Sequence, residues 1–120
     1  MFVLDDESKA KSLVKANKWS ERIFRRNIVR LAQDLGWLVA FVSDSRYSHG
    51  GNKGWPDLAM VKGDRIIFAE LKVKKNKPTA DQLRWLKRLG NAGAEVYIWY
   101  PNDLFEIGDI LRGTHDGSGN

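Results

Sequence analysis

The sequence predicts an α/β domain: a central mixed sheet of about four strands flanked by helices, in the order αβββαβ. Three observations carry this. Residues 57–72, DLAMVKGDRIIFAELK, hold two apolar runs joined by Gly63-Asp64 and read as a hairpin. Segments 20–35 and 79–89 show helical apolar spacing between a capping residue and a glycine. Strand-like runs stand on either side of the hairpin, WLVAFVS at 37–43 and EVYIWY at 95–100.

Residues 1–19 are mixed in charge and read as an N-terminal arm or helix. From Ser20, an N-cap candidate, the stripe Phe24, Ile28, Leu31 and Leu35 marks a buried helix face, which Gly36 stops. One turn before Phe24 stands Glu21, an acid at the start of that face; acids in a first turn also favour the positive end of the helix dipole. The strand at 37–43 runs into a long polar loop, DSRYSHGGNKGW, that delivers the chain to Pro56 and Asp57. Tyr47, His49 and Lys53 on this loop are candidate substrate contacts, because long loops beside a site commonly serve it.

Counting outward from Gly63-Asp64 pairs Lys62 with Arg65, Val61 with Ile66, Met60 with Ile67, Ala59 with Phe68, Leu58 with Ala69 and finally Asp57 with Glu70. Alternation puts Asp57, Ala59, Val61, Ile66, Phe68, Glu70 and Lys72 on one face, and Leu58, Met60, Ile67, Ala69 and Leu71 on the other. Both faces are largely apolar, so the hairpin is expected to be central in its sheet. Two directly opposed acids destabilise a pair of strands unless positive charge lies between them. A divalent cation such as Mg²⁺, which takes carboxylate oxygens and phosphates, would serve. Lys72 follows Glu70 on the same face, within reach of a phosphate. Taken singly, each of these residues reads as a solvated strand end; the shared register makes them a candidate cluster.

After the hairpin, Lys74–Pro78 leads to Thr79-Ala80-Asp81-Gln82, a capping box that starts a helix running to Leu89 with Gly90 ending it. Gln82 fills the third position of that box, yet its spacing to Trp85, Leu86 and Leu89 also puts it on the inward side. The strand 95–100 is ended by Pro101, Asn102 or Asp103 caps a short helix through Leu111, and residues 112–120 read as a disordered tail. The expected organisation is therefore an arm over 1–19, one domain over 20–111, and the tail.

Composition narrows the class. A chain of 120 residues fits one domain with a modest core. No apolar run approaches the ~20 residues needed to cross a bilayer. The absence of cysteine excludes disulfides and thiolate zinc sites, and two separated histidines form no metal-binding pair. The opening MFVLDDESKAK lacks the basic-then-apolar pattern of a secretory leader, so an intracellular, cytoplasmic setting is expected. A net charge of +5 suits a polyanionic partner. Its basic residues cluster at Arg22, Arg25, Arg26 and Arg30, and at Lys72, Lys74, Lys75 and Lys77.

The succession of a helix bearing Glu21, then Pro56-Asp57, then Glu70-Leu71-Lys72, then Gln82 with Trp85 near it and a closing strand after Gly93 resembles the PD-(D/E)xK nuclease superfamily. Within it, the sequence is similar to the small stand-alone VRR-NUC domains of phages and bacteria, over about residues 20–100. The resemblance implies a restriction-endonuclease-like core and a Mg²⁺ or Mn²⁺ cofactor. Asp57 and Glu70 would be the metal ligands, with the Leu71 carbonyl as a third. Glu21 would contribute through the metal or a bound water, Lys72 would position the attacking water and stabilise the phosphate, and Gln82 would orient the site. Arg25, Lys74, Lys75 and Lys77, with the loop residues above, would contact DNA. The implied activity is hydrolysis of DNA phosphodiester bonds, structure-selective for branched DNA such as four-way (Holliday) junctions. The setting would be the cytoplasm of a bacterial or phage-infected cell. A homodimer is expected, since paired cuts need two sites related by a two-fold axis, with Trp19 and Phe105 as candidate contacts. The alternatives are a nicking or sequence-preferring endonuclease with the same site, and a DNA-binding module without turnover.

Overall fold

A computed structural model describes residues 5–41 and 53–114. Their elements are α1 (Asp6–Ala16), α2 (Glu21–Asp34), β1 (Leu38–Phe41), β2 (Leu58–Lys62), β3 (Arg65–Leu71), α3 (Ala80–Asn91), β4 (Glu95–Trp99), a 3₁₀ turn (Pro101–Asp103) and α4 (Leu104–Arg112). Gly63 supplies the positive φ, 58°, of a two-residue reversal. From it β2 and β3 pair antiparallel, Lys62 with Arg65 through Leu58 with Ala69, the register predicted from the sequence. β1 joins β2 antiparallel and β4 joins β3 in parallel, so the sheet order is β1-β2-β3-β4 and the hairpin is central.

Leu58, Met60, Ile67, Ala69 and Leu71 line one sheet face and are wholly buried. They share a core with Phe24, Ile28 and Ala32 of α2, Trp37, Trp99, and Ile107, Ile110 and Leu111 of α4. Each such large aliphatic side chain contributes roughly 1.5–3 kcal/mol by leaving water. The turn end of the sheet is tied to this layer by Arg65. Its guanidinium donates to both Glu95 carboxylate oxygens at 2.7 and 2.8 Å and to the Ile110 carbonyl at 2.9 Å, and lies 5.0 Å from the Trp37 ring centre.

α3 lies on the opposite face. Phe68 meets Trp55, Trp55 meets Trp85 of α3, and Gly90 brings the helix close to Val96. The sequence shows two apolar faces, but the second is covered only in part. Leu38, Val61 and Ile66 stand opposite one another in one cross-strand row and are 78%, 43% and 39% exposed.

Local chemistry sets the helix ends. Ser20 Oγ accepts from the Ile23 amide at 3.2 Å and starts α2. Thr79 and Gln82 exchange bonds at 3.2 and 2.8 Å and start α3. Gly90, expected to end α3, lies inside it: the helix continues to Asn91, and Gly93 carries the positive φ of 105°. At Gly90 the lack of a side chain serves packing, since a Cβ there would stand 3.2 Å from Val96. α1 docks on the 3₁₀ turn, with Ala16 buried and Asn17 Nδ2 donating to Asn102 Oδ1 at 3.3 Å. Trp19 and Phe105, the candidate dimer contacts, are partly buried within the chain: Trp19 stacks on Phe24, and Phe105 lies beneath the Lys9 ammonium. α4 extends to Arg112, and the Thr114 amide donates back to the Asp109 carbonyl at 2.9 Å over Gly113. Arg112–Thr114, assigned to the tail from sequence, thus form the helix end; residues 115–120 lie outside the described residues.

Candidate active site

Asp57 stands one residue before β2 and Glu70 one residue before the end of β3, so continuing the hairpin register by one step sets them opposite each other. The backbone separates their charges. The Asp57 amide donates to Glu70 Oε1 at 3.3 Å, and the Leu71 amide donates to Asp57 Oδ2 at 2.8 Å. Each acid is therefore held by an amide of the opposite strand. Lys72 places its ammonium 3.6 Å from Glu70 Oε2, with its side chain only 14% exposed, and its own amide donates to the Trp99 carbonyl at 3.0 Å. The Glu70-Leu71-Lys72 backbone is thus fixed from both neighbouring strands.

The electrostatics show a site short of positive charge. Glu70 is 1% exposed; burial first, and then the Asp57 charge, push its acid up from the ordinary 4.5 to about 7, against the pull of Lys72. Asp57 is also raised, mainly by burial, with the Leu71 amide, Lys72 and Arg25 opposing. Glu21 is raised by burial and then by Asp57, while Lys72 and Arg25 oppose. The start of α2 therefore lies within the field of the hairpin acids and brings Arg25 with it, one turn after Glu21. Glu21 is not gathered into a common ligand shell: among the described residues, no group of three or more His, Cys, Asp or Glu side chains is placed to hold a metal ion. What remains is the Asp57–Glu70 pair, hard carboxylate oxygens under-compensated by Lys72, a chemistry that could take a hard divalent cation such as Mg²⁺ or Mn²⁺.

Folded Glu70 keeps its proton to about pH 7, whereas an ordinary unfolded glutamate loses it near 4.5, so stability falls as pH rises through that window. Above it, the buried charge costs on the order of 3 kcal/mol. Glu70→Gln is expected to raise the melting temperature of the metal-free protein at pH 8 and to change it little at pH 4.5. Equal shifts at both pH values would contradict a titrating Glu70.

The lead-in to Asp57 is braced by aromatics that the sequence reading did not single out as a unit. Trp55 meets Phe68 edge-on at 5.6 Å and Trp85 at 4.9 Å, and Trp85 Nε1 donates to the Lys53 carbonyl at 3.0 Å. Gly54 has φ +88° and presses on Asp81 of α3, leaving no room for a side chain. The available signal was the Gly-Trp-Pro-Asp run followed by a second tryptophan on the next helix.

The remaining expected site residues are dispersed. Gln82 spends its Oε1 on the Thr79 amide, so only its NH₂ is free to act as a donor elsewhere. Lys53 pairs with Asp81 at 3.7 Å. Lys74, Lys75 and Lys77 are exposed on the turn after Lys72. There Lys74 adopts φ 57°, and the Tyr100 hydroxyl donates to the Asn76 carbonyl at 2.7 Å. Tyr47 and His49 fall outside the described residues. Comparisons of the chain with protein-family models, with curated proteins and with solved structures return no match.

Proposed function

We propose that this chain is a divalent-metal-dependent DNA endonuclease, with the restriction-endonuclease-like core of the PD-(D/E)xK superfamily in the form of a small VRR-NUC domain. The observation that carries the reading is the meeting of Asp57 and Glu70 at one end of the central hairpin, with the Lys72 ammonium 3.6 Å from Glu70. A Mg²⁺ or Mn²⁺ ion held by Asp57, Glu70 and the Leu71 carbonyl would supply Lewis-acid stabilisation of the phosphate and lower the pKa of a water.

The chain's own residues supply orientation and charge. Lys72, nearly buried and anchored beside Glu70, offers a fixed positive charge to the non-bridging oxygens as negative charge develops on them. The Leu71 amide holds the Asp57 carboxylate in place, and Arg25 adds a second positive charge that acts on Asp57. Glu21 would act on a bound water, and the free amide donor of Gln82 would orient the site from α3. Lys74, Lys75 and Lys77 extend the positive surface along the DNA backbone. A module that only binds DNA gains nothing from two facing acids, one of them buried, which repel phosphates.

Branched DNA is the proposed substrate and a homodimer the working form, since paired cuts need two sites related by a two-fold axis. The test is cleavage of a labelled four-way junction, a flap, a plain duplex and a single strand, each with Mg²⁺, Mn²⁺ or EDTA. Paired symmetric cuts in the junction that disappear with EDTA are expected. Metal-dependent nicking of plain duplex would keep the site and replace the substrate. Binding without cutting under any metal would leave the DNA-binding module and remove the enzyme. Sedimentation at assay concentration is expected to give the mass of two chains; a single chain that still cuts both strands would contradict the dimer.

A further inference from the structure

Among the described residues, an open cavity outside the acid cluster has the chemistry of a ligand site. Arg84, Trp85 and Arg88 of α3 line a groove of about 340 Å³, inside the range of roughly 300–1,000 Å³ common for small-ligand clefts. Arg84 and Arg88 are one helical turn apart, with Trp85 beside them on the helix surface. The indole is a fixed wall: its Nε1–H is held by the Lys53 carbonyl at 3.0 Å, and its contact with Trp55 is near perpendicular, 83°. A perpendicular contact engages at most one face of the Trp85 ring. Arg84 lies 3.4 Å from Asp81 and is 65% exposed, so its guanidinium is only loosely held.

An aromatic wall beside two guanidinium groups suits a planar, uncharged ring joined to an anion. An apolar ligand would leave the arginines without partners, and a bare phosphate would leave the indole unused. A nucleotide satisfies both. The stacked base must present a free face, which a base inside an intact duplex does not. The groove is linked to the acids by a chain of side-chain contacts. From Glu70 to Phe68 is one strand repeat of roughly 7 Å, and Phe68, Trp55 and Trp85 follow with ring contacts of 5.6 and 4.9 Å.

We propose that the groove of Arg84, Trp85 and Arg88 is a subsite for one unstacked nucleotide of the DNA held at the acids, its base on Trp85 and its phosphate between the arginines. This rests on reading the Asp57–Glu70 cluster as a DNA-cleaving site. It makes a nucleotide at a branch, where the duplex stack is interrupted, the feature that is recognised.

The experiment is equilibrium binding of the full chain in EDTA to three labelled DNAs: a nicked duplex, the same duplex with a short single-stranded flap, and the same flap made of abasic nucleotides. The base-bearing flap is expected to bind about tenfold tighter than the abasic flap, the size of one base–aromatic stack. The double variant Arg84→Gln/Arg88→Gln changes two exposed side chains and leaves the core intact. It is expected to lose about tenfold on the base-bearing flap and far less on the nicked duplex. Equal wild-type affinity for the two flaps would overturn the proposal, as would a variant that weakens all three DNAs in the same proportion. Cleavage in Mg²⁺ is scored separately. A chain that cuts but ignores the bases loses only the subsite, and one that prefers the base-bearing flap without cutting keeps the subsite and loses the enzymatic reading.

Discussion

Asp57→Asn is expected to lower metal-dependent DNA cleavage by about 10²–10³-fold, the order lost when one preorganised charge-stabilising contact is removed from a site. Asparagine retains an oxygen to accept from the Leu71 amide, now at 2.8 Å, so the strand end keeps its local bond. The negative charge is what disappears. With it goes the second cause of the raised Glu70 acid, so Glu70 moves back toward the ordinary range and the metal-free protein is not expected to lose stability. The pairing of a stable fold with lost cleavage distinguishes a ligand from a scaffold residue. Single-turnover cleavage beside a melting curve measures both. Cleavage near the wild-type rate would remove Asp57 from the chemistry, and lost cleavage with a collapsed melting curve would make it structural.

Gly54→Ala is expected to lower unfolding free energy by about 3 kcal/mol, combining left-handed backbone strain with overpacking. At φ +88°, a Cβ would stand 2.5 Å from the Asp81 carbonyl carbon and 2.7 Å from its Cβ. Neither neighbour is a flexible side-chain end. The segment would have to lift, taking Trp55 from between Phe68 and Trp85 and shifting Asp57 three residues later, so cleavage should fall with stability. Gly63→Ala is the control. Gly63 also has a positive φ, 58°, but nothing lies within 4 Å of its Cβ position, so it carries the backbone cost alone, about 1 kcal/mol. Denaturant unfolding of both variants measures the difference. Equal losses would show that the Gly54–Asp81 approach adds nothing.

What the sequence disclosed was local. The hairpin register could be counted residue by residue because a two-residue turn and strict alternation leave few other pairings, and that count brought Asp57 opposite Glu70. The Ser20 cap and the Thr79–Gln82 box were legible for the same reason, since donor and acceptor lie three residues apart. What escaped depends on distant partners. The docking of α1 rests on Ala16 and on an Asn17–Asn102 bond 85 residues apart, with no apolar stripe to announce it. Gly90 looked like a helix stop, but its role is set by Val96 on the neighbouring strand. The exposure of Leu38, Val61 and Ile66 depends on how far α3 reaches across the sheet, which alternation does not encode. In the site, the acids and Lys72 came from the strand pattern. The Trp55–Trp85 brace and the close seat of Gly54 required the helix and the lead-in segment to meet.

Calorimetric titration of the metal-free protein with Mn²⁺ at pH 7, in two buffers of different ionisation enthalpy, asks most directly whether Asp57 and Glu70 hold a divalent ion. Wild type is expected to bind Mn²⁺ and to release about half a proton, because Glu70 titrates at about 7 and must be ionised to act as a ligand. Asp57→Asn is expected to bind far more weakly, and Glu70→Gln to bind weakly and release no proton. Absence of binding to wild type, or binding of equal strength in both variants, would contradict a metal site at the end of the hairpin.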